Sequence, residues 1–270
     1  MINIFLIGLL SILAGSLLAR IMKMYPAYLH YEAEKECYEH LHLEMPKALR
    51  KLASPWKFWN HCSSCSSIQP WYGAIPILGV FLKHNCSDCA QGLSWRVLWV
   101  EVACIVATSI LYYKFGLGYQ FWLAVIFTYG LILLFGIDVM YHQLPDLIVI
   151  SLLWIGLLAS PFTSSAWAVK SAFFGYASTW LMAKLYWLIR RKEGMGHGDF
   201  KMFAMVGAWV GLWALLSTML ISLVCGAIFG ILKAVKTKDA KVEFAFGPWI
   251  ALAVWPSLFY GAYGLHLLDA

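Results

Sequence analysis

Eight apolar runs, most of them about as long as a bilayer span needs, leave this 270-residue chain few ways to fold. We place them at 2–19, 97–114, 119–137, 146–161, 166–189, 200–213, 214–233 and 247–267. Lipid offers no partner for free backbone groups, so each run is expected to be a helix. The 200–233 stretch is read as two short helices because of Gly207, Gly211 and its length. The first run has no small-x-small cleavage site and is expected to stay as a membrane helix. Composition agrees: 61% of the residues are hydrophobic and 13% charged. A soluble domain would be about half apolar and about a quarter charged. The predicted class is an all-α polytopic membrane protein of about eight transmembrane helices.

Basic residues then set the orientation. Segments 20–96, 190–201 and 233–241 hold nine, four and four of the 20 lysines and arginines, and an eight-helix count puts all three on one side. The positive-inside rule makes that side the cytosol. The net charge of +6 is thus mostly a topology signal. No basic stripe interleaved with exposed aromatics points to nucleic acid. The expected organisation is a first transmembrane helix (1–19), a cytosolic insert (20–96) and a seven-helix membrane core (97–270).

The insert carries two CxxC pairs, Cys62 with Cys65 and Cys86 with Cys89, twenty residues apart. This is the knuckle spacing of a four-thiolate zinc site. A reducing cytosol disfavours disulfides, and a zinc would hold together a loop with little core of its own. With four protein ligands the metal would be structural. The competing reading is four unligated or redox-active thiols.

Two acids stand out in so apolar a chain. Asp138 ends the run LLFGID, and Asp199 closes GMGHGD before FKMFAMVGAWVG. A carboxylate against a hydrophobic run is costly and calls for a function. At a helix C-terminus, Asp138 also opposes the dipole. Asp146 follows Pro145 at the start of a span and reads as an N-cap that supports the site. Asp199 is compatible with a cap as well. Gly196 and Gly198 would let backbone approach an extended peptide. Two nearby carboxylates cannot both ionise easily, so one can activate water while the other protonates a leaving amine. His142 and His197 lie in the two loops and could tune the pair. Gly-x-Ser-x-Gly, HExxH and P-loop motifs are absent.

These residues resemble the bacterial type IV prepilin peptidase family, the GxGD aspartyl peptidases of pilus and type II secretion systems. The likeness runs through Gly15-Ser16, Pro26, the paired CxxC insert, Ile75-Pro76, Trp95-Arg96 and Glu101. It continues through Asp138 with Leu144-Pro145-Asp146, KEGMGHGDFKM, and Phe244 to Trp249. The resemblance implies a multi-pass enzyme of the inner membrane. It would cut the short basic leader from prepilins or pseudopilins after a glycine, at the cytosolic face. The family's catalytic aspartates map onto Asp138 and Asp199. The resemblance also implies methylation of the new N-terminus with S-adenosylmethionine. Two other classes stay open: a GxGD protease that cuts within transmembrane helices, and a non-enzymatic scaffold of a secretion machine in which both acids only cap helices.

Overall fold

Where apolar runs meet lipid the backbone coils, and the computed structural model is helical in every such run. It describes residues 2–44, 46, 95–192, 194–237 and 244–268. Among these there are seven helices and no strand: α1 (Ile2–His40), α2 (Trp95–Phe115), α3 (Tyr119–Tyr141), α4 (Asp146–Ala159), α5 (Ser165–Arg190), α6 (His197–Thr237) and α7 (Gly247–Leu268). Three segments are long and apolar enough to cross a membrane: Leu98–Phe115, Tyr119–Tyr141 and His197–Thr237. Ile7–Met22, Asp146–Ala159 and Gly247–Phe259 are shorter apolar stretches. The chain forms two compact units, residues 1–110 and 111–270.

In the first unit, α1 runs through the expected boundary at residue 19 and on to His40. The helix passes Pro26, and the stretch beyond it has no glycine before His40 and carries Glu32, Glu34, Lys35, Glu36 and Glu39, residue types that favour helix. Gly15 packs so closely that a Cβ there would stand 2.9 Å from the Cα of Glu101 on α2. The Ser16 hydroxyl donates to the Glu101 carboxylate, which is fully buried. Two pieces of sequence 85 residues apart thus form one contact. Cys62, Cys65, Cys86 and Cys89 lie outside the described residues.

In the second unit, α6 is central, packed by α4, α5 and α7. The helix breaks at Gly211, whose φ of 77° and ψ of 178° are not helical. Only glycine adopts that backbone without strain. A Cβ there would also meet the Thr163 hydroxyl at 3.0 Å. The break falls beside the expected division of this stretch at residue 213. Trp209, fully buried just before it, donates from Nε1 to the Leu152 carbonyl of α4 at 2.8 Å and stacks on Phe127 of α3, centroids 4.5 Å apart. One side chain therefore ties α6 to both helices. Against α5, a Cβ at Gly207 would sit 2.4 Å from the Ser171 carbonyl oxygen, so the two backbones touch. Small residues of this kind let helices approach closely in lipid.

Candidate active site

The polar ends of α3, α4, α6 and α7 meet around the two predicted acids. Asp138 is in the last turn of α3, which ends at His142 in the left-handed conformation (φ 55°). The His142 N–H closes the helix on the Asp138 carbonyl at 2.9 Å. The Asp138 side chain is 5% exposed. Its Oδ2 accepts the backbone N–H of Gly247, the first residue of α7, at 2.9 Å. A helix N-terminus presents free N–H groups and a partial positive charge, which offsets the adverse position of Asp138 at the end of its own helix.

Asp199 sits in the first turn of α6 and is 7% exposed. Helix α6 begins at His197, so Gly196 takes the capping position that the sequence suggested for Asp199. The Asp199 N–H bonds the Gly196 carbonyl at 3.2 Å, and its carboxylate accepts the Gly196 N–H in return. This is the acid half of a capping box. Each buried acid therefore rests on a glycine amide, and the two carboxylates are near enough for their charges to interact. The structure brings Asp138 and Asp199 together at one end of the helices that carry them.

The supporting residues divide. Asp146 was expected as an N-cap, but Pro145 occupies that position and makes no side-chain cap bond. Asp146 instead pairs with Lys201 of α6 at 2.6 Å, both side chains partly exposed. Gly196 leaves space beside the site: a Cβ there would only touch Asp199 Oδ2 at 3.5 Å. At Gly198 the space is taken by Leu144, whose Cβ lies 2.8 Å from where a glycine Cβ would stand. His142 interacts electrostatically with Asp138, whereas exposed His197 lies against the Phe200 ring, 5.7 Å between centroids.

The sequence assigns no site role to three contributors: the Gly247 amide, the Leu144 side chain and Lys201. The signals were present in FAFGPW, LPD and GDFK, but no local pattern says that these segments meet. No group of three or more metal-binding side chains occurs among the described residues.

A buried acid pair at the ends of membrane helices suits water-dependent acyl chemistry, and comparison with known proteins points the same way. Residues 125–231 match the type IV leader peptidase family, and residues 9–115 match the bacterial peptidase A24 N-terminal domain. A prepilin leader peptidase/N-methyltransferase of Pseudomonas aeruginosa is 35% identical over 260 residues, covering 94% of this chain and 89% of the relative. Its namesake in Legionella pneumophila is 35% identical over 262 residues (94% and 90%). That of Stutzerimonas stutzeri is 33% identical over 258 residues (93% and 89%). No solved structure matches the chain. With both halves matched and relatives of this identity along nearly the whole length, the chain belongs to the type IV leader peptidase family.

Proposed function

We propose that this chain is a membrane aspartyl endopeptidase that removes the leader of type IV prepilins or pseudopilins and methylates the new N-terminus. The observation that carries the reading is the convergence of Asp138 and Asp199, two buried carboxylates 61 positions apart, in a chain with few charges. In the reaction one carboxylate takes a proton from a water molecule as its oxygen attacks the scissile carbonyl. The other carboxyl gives a proton to the departing amine, and the two acids exchange roles before the next turnover. Neither role is assigned to one aspartate. Water is scarce in hydrocarbon, which suits a site at the polar ends of the helices.

The finer reading places eight spans in the inner membrane, 97–270 as the peptidase core, and the acids at the cytosolic face. The 17 basic residues on one side support it. The spacing of Cys62, Cys65, Cys86 and Cys89 supports a structural zinc in the insert. The N-methyltransferase activity in the relatives' names is the support for S-adenosylmethionine as methyl donor.

The test is mass spectrometry of a prepilin incubated with the purified, detergent-solubilised chain, with and without S-adenosylmethionine. The expected products are a pilin cut after the leader glycine and, with the methyl donor, the same pilin heavier by one methyl group. Cleavage within the pilin's apolar helix would favour an intramembrane protease. An intact substrate would favour a scaffold.

A further inference from the structure

We propose that Leu144 is a positioning residue that sets the separation of the two carboxylates, acting as a spacer seated between Gly198 of α6 and Gly247 of α7. It rests on the reading of Asp138 and Asp199 as the working pair. Leu144 belongs to the turn between α3 and α4, and its neighbour Pro145 is buried. On one side its Cβ lies 2.8 Å, and its Cδ1 3.2 Å, from the position of a Cβ at Gly198, the neighbour of Asp199. On the other side its Cδ2 lies 3.1 Å from the position of a Cβ at Gly247. Gly247 in turn is the residue whose amide holds the Asp138 carboxylate at 2.9 Å. One half-buried apolar side chain thus touches the residue next to one acid and the residue that holds the other.

The contact explains why both partners are glycines. A methyl group at either position would push on Leu144 and, at Gly247, on Asp138 Oδ2 at 2.7 Å as well. Leu144 has no proton to exchange, so its effect runs through geometry alone. Shape then matters more than volume. The 2.8 Å approach runs from Leu144 Cβ to the place a Cβ would take at Gly198, so a branch at Leu144 Cβ would crowd the Gly198 backbone, whereas an unbranched side chain of similar size fits.

The experiment compares kcat and KM of purified full-length Leu144→Met, Leu144→Ile and Leu144→Ala on a prepilin, beside wild type and Asp138→Asn. Leu144→Met should cleave at nearly the wild-type rate. Leu144→Ile and Leu144→Ala should lose about 10- to 100-fold in kcat at unchanged KM and unchanged thermal midpoint, as expected when reacting groups are misplaced. Wild-type kcat in Leu144→Ile overturns the proposal. A raised KM with intact kcat also overturns it, because Leu144 would then be a substrate contact. Unfolding of both Leu144→Ile and Leu144→Ala overturns it in favour of a purely stabilising role. Cleavage by Asp138→Asn, by contrast, would sink the acid-pair reading itself.

Discussion

The carboxylate of Asp138 accepts a 2.9 Å hydrogen bond from the backbone N–H of Gly247, 109 residues further along the chain. The bond joins the C-terminal turn of α3 to the N-terminus of α7. It orients an acid that could otherwise swing towards water. A side chain on residue 247 is incompatible with it, since a Cβ would fall 2.7 Å from the accepting oxygen.

Gly247→Ala should therefore lower peptidase kcat by about 10²-fold, the effect of moving a reacting group by a fraction of an ångström to an ångström. The protein should remain folded, because the added methyl group meets a side-chain oxygen and the end of Leu144 rather than backbone. Steady-state kinetics and a thermal melt in detergent check the two parts.

Lys201→Met makes a contrasting case. Its pairing with Asp146 is close at 2.6 Å, yet the two side chains are 33% and 57% exposed. Exposed pairs contribute about 0–1 kcal/mol. The variant should keep its thermal midpoint within a few degrees and cleave at a rate near wild type. A large loss of activity would give Lys201 a direct role towards substrate.

Trp209→Phe removes the donor to the Leu152 carbonyl and leaves a buried acceptor without it. The Leu152 carbonyl keeps its own helical N–H, so the lost bond costs about 0.5–1.5 kcal/mol. A lower unfolding temperature with kcat retained is the expected result, read by scanning fluorimetry.

In the first unit, Gly15→Val should force α1 and α2 apart, because the added Cβ meets backbone at Glu101 Cα rather than a yielding side chain. Overpacking of this sort costs about 1–3 kcal/mol. Glu101→Gln, which keeps an acceptor for Ser16, should be tolerated. Proteolytic resistance of the two variants in membranes distinguishes them.

Much of this was legible in the sequence. Long apolar runs dictate helices, and Asp138 and Asp199 stood out because acids are scarce and costly in such a chain. Gly211 marked a break in the 200–233 stretch, since positive φ is where glycine is needed. The first part of the 20–96 insert is mixed in charge and compatible with helix in part, but nothing local in it marks an unbroken continuation of the first span to His40. Asp146 was misread as a cap because the ion pair with Lys201 spans 55 residues and has no local signature. The same holds for Leu144 between Gly198 and Gly247. Contacts of this kind belong to packing, and a single sequence carries only their end points.

The central claim is that Asp138 and Asp199 together perform the cleavage. The most direct measurement is leader removal from a prepilin by wild type, Asp138→Asn and Asp199→Asn, each purified in detergent and shown to be folded. Asparagine keeps the size of the side chain and removes its proton chemistry. Cleavage by wild type and by neither variant is the predicted result. Normal cleavage by either single variant would contradict the account.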